Sequence, residues 1–303
     1  MLSSVFHNRL WSGPGLGAMN LGWTGLDWTK RGTVMGHSLF DLTGRVALVS
    51  GTARGLGRAM AIGFAEAGAD LLLADINTQG NEATAAHIKG LGRRALPVTC
   101  DVSDPEQIRV MFSRLDREYG RLDVLGNVAG EGCQVSPEDL SLEQLQNVLQ
   151  SLVVGRFYCC QQAGTRMLAA GKGSIINVGS IAGTRALGRG HIAYSIAMGG
   201  VVQMTRELST EWSARGVRVN AILPAQVPNE GHEARMRLDP MLRDTWLRGI
   251  AMGRFGVPED IQGVSLFLAS DASAWVTGAL IPMDGGNQAM NAGASPGRRP
   301  EAG

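Results

Sequence analysis

Between Arg45 and Gly286, short apolar runs alternate with segments of helical period, and no other feature restricts the fold as much. The runs RVALVS, DLLLAD, ALPVTCDV, LDVLGNVAG, GSIINVGS, VRVNAIL and ALIPMDGG read as seven strands. Between them lie GLGRAMAIGFAEAGA, a helix near Thr78 to Leu91, DPEQIRVMFSRLDREYG with Pro105 in its first turn, a long helical region from about Pro137 to Ala169, and a helix from about His191. Strands that are apolar throughout lie in a sheet covered on both faces. The pattern predicts a single α/β domain, doubly wound, with a seven-stranded, mostly parallel sheet.

The domain is expected over residues 39–288. Residues 1–38 contain WSGPGLGAMNLGWTGLDWTKRG, which shows neither period 2 nor period 3.6, and read as an irregular N-terminal extension. The GPGLG inside it imitates a phosphate loop but lacks a preceding strand. Residues 289–303, ending in NAGASPGRRPEAG, read as a disordered tail.

Bulk composition narrows the function classes. A formal net charge of +1 gives no electrostatic basis for binding nucleic acid or a membrane surface. No apolar run approaches the roughly 20 residues of a membrane helix. The four cysteines, Cys100, Cys133, Cys159 and Cys160, lack zinc spacing. They read as reduced, buried side chains in a cytoplasmic protein.

VALVSGTARGLGRAM places Gly51, Gly55 and Gly57 between the first strand and the first helix. Glycines there let the backbone approach a pyrophosphate, and the helix N-terminus faces its charge. Asp75 closes the second strand about 20 residues later, where a carboxylate can accept both hydroxyls of an adenosine ribose. It would repel a 2′-phosphate, which favours NAD over NADP. Arg54, in the loop, works in the other direction.

Taken together, SGTARGLG, Asp75, CDVSD, NVAG, GSIINVGSIAG, Tyr194, GVRVNAILPA and the late GRFGVPEDI…LFLAS…VTGALIPMDGG resemble the short-chain dehydrogenase/reductase family over nearly all of Leu39 to Gln288. The resemblance implies a Rossmann-type domain, assembled as a homotetramer or homodimer, acting on a small-molecule substrate. It implies that Gly51, Gly55, Leu56 and Gly57 line the pyrophosphate, with Arg54 near the adenosine ribose. Asp75 would meet the ribose, and Asp101 and Val102 would flank the adenine. Asn127, Ala129, Gly130 and Pro224 would sit beside the rest of the dinucleotide. Ser180 would hydrogen-bond the substrate oxygen, and Tyr194 would exchange a proton with it while lying against the cofactor.

The chain departs from the family at chemically important places. The family pattern is Tyr-x-x-x-Lys, and here the lysine position is Met198. The family asparagine of the long fourth helix falls on Leu152. NNAG has become NVAG, Ala225 replaces the glycine after Pro224, and the threonine position falls on Asn229. The spacing from Ser180 to Tyr194 points to a small insertion within ALGRGH.

In the family the lysine lowers the phenol pKa and holds the nicotinamide ribose, and the asparagine supports a water beside it. Leu152 and Met198 therefore remove two parts of one proton relay. A free phenol titrates near pH 10, so its use as a base at pH 7 is penalised by up to about 4 kcal/mol. Donation from the neutral phenol is penalised less. The expected function is NAD-dependent interconversion of a small carbonyl and a secondary alcohol, favouring reduction. The alternatives are a cofactor-binding homologue with little turnover, such as an inactive subunit beside an active homologue or a sensor, and a non-redox lyase.

Three further readings concern charge. Arg156 interrupts LVVGRFYCC, and a buried charge must be paired. A carboxylate at a subunit interface is the plainer expectation, and the space beside Met198 is the sharper one. Arg185, Arg189 and His191 read as solvated loop charges, or as contacts for an acidic substrate. Val227 to Ile250 mixes Met, Leu and Trp with arginines, as a substrate lid would.

Overall fold

In the computed structural model the described residues are 39–291 and 294. The expected N-terminal extension and nearly all of the tail lie outside them.

Seven strands form one sheet: β1 Val46–Ser50, β2 Asp70–Asp75, β3 Ala95–Thr99, β4 Val124–Asn127, β5 Gly173–Val178, β6 Val217–Pro224 and β7 Leu280–Met283. Their order is β3-β2-β1-β4-β5-β6-β7, and every pairing is parallel. The sheet is thus parallel throughout rather than mostly so. Chain direction across the sheet reverses between β1 and β4, which opens a crevice at the carboxyl ends of those strands.

Helices cover both faces. On one, Met60 and Phe64 of α1 (Gly55–Glu66) and Ile261 and Leu268 of α9 (Ile261–Ala269) pack on Val49, Leu71 and Ile176. On the other, Ile108, Met111 and Phe112 of α3 (Pro105–Tyr119) and Cys159, Cys160 and Met167 of α5 (Arg156–Ala170) pack on Leu48, Leu72 and Ile175. Leu48 and Val49 are adjacent in sequence and face opposite layers, as strand alternation requires. The remaining helices are α2 (Thr78–Gly90), α4 (Leu142–Leu149), α6 (Ile192–Trp212), α7 (Glu230–Leu238) and α8 (Pro240–Arg248).

Local signals explain several boundaries. Asp104 caps α3 by accepting from the N–H groups of Glu106 and Gln107, Pro105 opens it, and Gly120 ends it in the left-handed region. The long helical region differs from expectation. It begins at Leu142, behind a capping box at Ser141, not at Pro137. It also contains a π-helical turn over Gln150–Gly155 that separates α4 from α5. A Cβ at Gly155 would lie 1.8 Å from the carbonyl oxygen of Val102, so only glycine lets the helix cross there. The third strand is shorter than read, ending at Thr99, because Asp101 Oδ1 accepts from both N–H and Oγ of Ser103 and turns the chain. Of the cysteines, Cys133 is only half-buried, and all four are free thiols. No helix among the described residues is long and apolar enough to cross a membrane.

Candidate active site

The glycine loop after β1 is built for close approach. Gly51 and Gly55 have φ of +74° and +58°. A Cβ on Gly57 would lie 2.1 Å from the carbonyl oxygen of Gly51, so the first turn of α1 fits against the loop only as glycine. Helix α1 has no capping side chain and no acid in its first turn. Helices α2, α3 and α4, by contrast, are capped by Asn77, Asp104 and Ser141. The N-terminus of α1 is therefore left for an external anion.

Asp75 stands at the end of β2, beside this loop. Its Oδ2 accepts from the N–H of Ala53 at 2.8 Å, and its Oδ1 accepts from the N–H of Asn77 at 2.8 Å. A carboxylate offers about four acceptor sites, so both oxygens can still receive ribose hydroxyls. Arg54 is turned away from Asp75, toward Glu131 at 3.2 Å and Glu230 at 3.0 Å. These features fit a dinucleotide with a pyrophosphate at α1 and a ribose at Asp75.

The turn after β4 is gripped from two sides. Ser50 Oγ accepts from the N–H groups of Val128 and Ala129 at 3.0 and 3.1 Å. Arg156 donates from Nη2 to the carbonyl of Val128 at 2.7 Å and from Nε to that of Ala129 at 3.0 Å. Its Nη1 donates to the carbonyl of Val178, at the end of β5. Arg156 is thus buried without a carboxylate, and the expected interface ion pair is replaced by three backbone carbonyls. Burial lowers its pKa from the ordinary arginine value, opposed by Tyr194, Cys160 and Cys159 as electrostatic neighbours.

The Asn127 side chain is buried and donates to the carbonyl of Arg156 at 2.9 Å and to Asn177 Oδ1 at 3.1 Å. The carboxamide nitrogen ties β4 to β5 and α5, and Oδ1 has no hydrogen-bond partner. Gly130, with φ of +118°, lies against Leu152, since a Cβ there would meet Leu152 Cδ2 at 2.6 Å. Pro224 is the buried last residue of β6, and Val102 is buried beside Asp101. Asn229, at the family threonine position, caps α7.

The turn that follows Ser180 packs on α6, the helix that carries Tyr194. Ser180 is buried and caps the short turn Ile181–Gly183, its Oγ accepting from the N–H of Ala182 at 3.1 Å. Its hydroxyl hydrogen remains for another partner. That turn lies on α6: a Cβ at Gly183 would be 2.6 Å from the carbonyl oxygen of Met198. Tyr194 is half-buried one turn earlier, and Gly132 leaves room for its ring. Leu152, Ala182 and Met198 belong to one buried apolar cluster, with Tyr194 packed on its edge. Leu152 and Met198, the positions the resemblance compares with the family asparagine and lysine, thus share one apolar cluster.

Sequence reasoning did not find Ser50, Asn177, or the meeting of Arg189 and Arg235 on Trp246. Ser50 carried a faint signal, a hydroxyl closing an otherwise apolar buried strand. The others depend on which elements become neighbours.

Comparison with known proteins agrees with this architecture. Residues 51–288 match the family model described as Enoyl-(Acyl carrier protein) reductase. A D-threitol dehydrogenase of Mycolicibacterium smegmatis is 41% identical over 248 residues, covering 82% of this chain and 94% of that protein. An NAD-dependent glycerol dehydrogenase of Listeria innocua is 35% identical, covering 82% of this chain and 95% of its own. Among solved structures, a Beutenbergia cavernae chain assigned as an NAD(P)-dependent gluconate 5-dehydrogenase, with NADP at low occupancy, superposes with a TM-score of 0.78 at 36% identity. That match covers 83% of this chain and all of the other, at 100%. The chain belongs to the short-chain dehydrogenase/reductase family. Its fold is the family's Rossmann-like α/β sheet, and the family binds a nicotinamide dinucleotide.

Proposed function

We infer that the chain is an NAD(H)-dependent oxidoreductase that interconverts a small carbonyl compound and a secondary alcohol. The observation that carries this reading is the glycine loop with the uncapped N-terminus of α1 and Asp75 beside it, together with a buried Ser180 whose turn packs on the helix of Tyr194. Gly51, Gly55, Leu56 and Gly57 would hold the pyrophosphate, and Asp75 the adenine ribose, with Arg54 near it. Asp101 and Val102 would border the adenine, while Asn127, Ala129, Gly130 and Pro224 would border the nicotinamide end. When bound, the dinucleotide supplies the hydride acceptor or donor.

NAD is favoured because Asp75 is anionic and Arg54 is engaged by Glu131 and Glu230. NADP is the alternative, and the gluconate 5-dehydrogenase relative holds it. Ser180 donates its hydroxyl hydrogen to the substrate oxygen. Tyr194, as a neutral phenol, gives its proton to the same oxygen as negative charge develops there. Arg156 sits behind the site as a fixed positive charge and keeps the Val128–Ala129 turn in place. A homo-oligomer, dimer or tetramer, belongs to this reading, supported by exposed Val154 and Phe157 on one helical face and by exposed Trp275.

A second reading has one specific observation in its favour. The apolar cluster of Leu152 and Met198 removes the usual relay, which suits a cofactor-binding protein with little turnover. The test is an NADH and NADPH fluorescence titration, followed by ketones and alcohols at saturating cofactor. Tight NADH binding with carbonyl reduction at neutral pH is expected. Binding without turnover selects the second reading, and absence of NADH binding overturns both.

A further inference from the structure

The loop before Tyr194 and the two lid helices bring together cations that no acid answers. Arg189 has φ of +62° and is the one non-glycine residue in the left-handed region among the described residues. Gly188 and Gly190 on either side have φ of +66° and +72°. A side chain resists this conformation, so the surroundings must impose it. They do so through Gln134 Nε2, which donates to the carbonyl of Arg189 at 2.5 Å, and the N–H of Val135, which donates to that of Gly190 at 2.9 Å.

The result is a guanidinium placed over the lid. Arg189 Cζ lies 5.0 Å from the ring centroid of Trp246 on α8, and Arg235 Cζ of α7 lies 5.8 Å from the same ring. His232, about one turn before Arg235, meets Trp246 edge-on at 5.6 Å. His191 lies 6.2 Å from the Tyr194 ring, centroid to centroid. Burial and the neighbouring charges of Arg189, Arg235 and His232 hold His191 below the usual histidine range.

Two acids of the lid are engaged elsewhere: Glu230 pairs with Arg54, and Asp239 caps α8 by accepting from the N–H of Met241. Among the described residues, none of these four groups has an ion pair with an acid. A second observation points to a ligand: Trp246 is only 7% exposed, yet its Nε1 has no hydrogen-bond partner. Two guanidinium groups on one aromatic floor, with a buried donor unfilled, repel one another until an anion joins them, and the imidazoles beside them can add donors.

We propose that Arg189, Arg235, His191 and His232, gathered around Trp246, form a subsite for the carboxylate or phosphate of a small polyhydroxy substrate whose reacting carbon is presented to Tyr194. The proposal rests on the oxidoreductase reading above and adds its substrate class. It sets the chain beside the gluconate 5-dehydrogenase it resembles, whose named substrate is a carboxylate, and apart from the threitol and glycerol dehydrogenases, whose named substrates are neutral.

The test compares D-gluconate and glycerol 3-phosphate with neutral D-threitol and glycerol, at saturating NAD, for the wild type, Arg189→Gln, Arg235→Gln and the double variant. The expected wild-type preference in kcat/KM is at least tenfold for one of the anions, and which anion wins identifies carboxylate or phosphate. The double variant should lower that ratio at least tenfold, chiefly through KM. A preference for neutral substrates, or a ratio unmoved by both substitutions, overturns the proposal. Calorimetric titration of both anions into the cofactor-loaded protein separates the two claims. Anion binding that is lost in the double variant, without turnover of any substrate, leaves the subsite standing and removes the oxidoreductase reading. Turnover of neutral alcohols without anion binding does the reverse. Neither binding nor turnover overturns both.

Discussion

Leu152 and Met198 lie in one buried apolar cluster, and Tyr194 packs on its edge. The proposed reading takes these two positions as the site of one polar relay, here filled by a single apolar cluster. A lysine restored alone at Met198 would enter this cluster without a partner. Met198→Lys should then destabilise the protein by about 3 kcal/mol or more, measured by chemical denaturation. Leu152→Asn added to it should recover part of that loss, because neighbouring sites couple. The double variant should also raise the rate of alcohol oxidation at pH 7.

Arg156 supplies a different prediction. Arg156→Met leaves the carbonyls of Val128, Ala129 and Val178 without their donor, and the expected loss is about 3 kcal/mol or more. Arg156→Lys keeps the charge and should lose less. Because Arg156 holds the turn after β4, carbonyl reduction at saturating cofactor should fall in Arg156→Met and fall less in Arg156→Lys, read as kcat.

The histidines of the lid give a pH dependence of stability. Burial and neighbouring arginines hold His191 and His232 below the usual histidine range. The unfolded chain therefore binds protons more readily than the folded one. Stability from these groups is complete above the unfolded value, about 6.5, and is lost as pH falls through it toward the lower folded value. Denaturation midpoints between pH 8 and pH 5 check this. An anionic ligand should oppose the loss, since it favours the protonated imidazoles.

Asp75 decides between the two cofactors. Asp75→Ser should weaken NADH binding about tenfold and improve NADPH, read as a change in the ratio of dissociation constants. An unchanged ratio would mean that Asp75 serves only the N–H groups of Ala53 and Asn77.

Much of the fold was legible because its signals are local. Buried strands such as VALVS and GSIINV announce a covered parallel sheet. Asp104, Pro105 and Gly120 mark the ends of α3 without reference to anything distant. The glycine loop and Asp75 were legible for the same reason. What the sequence could not show was the partner of Arg156, because Val128 and Val178 become neighbours only when β4 and β5 pair. The π-helical turn was hidden for a related reason, since it is tied to the carbonyl of Val102 crossing over Gly155. The inward turn of the Asn127 side chain likewise follows from Asn177 on the adjacent strand. The gathering of Arg189 and Arg235 on Trp246 depends on a left-handed loop that the composition of ALGRGH only hints at.

The central claim is that Tyr194 still moves a proton without the lysine. The most direct measurement is carbonyl reduction by Tyr194→Phe at saturating NADH, with cofactor affinity measured on the same sample. The account predicts that kcat falls about 100-fold or more while NADH binding is retained. Turnover that persists undiminished in Tyr194→Phe would contradict it.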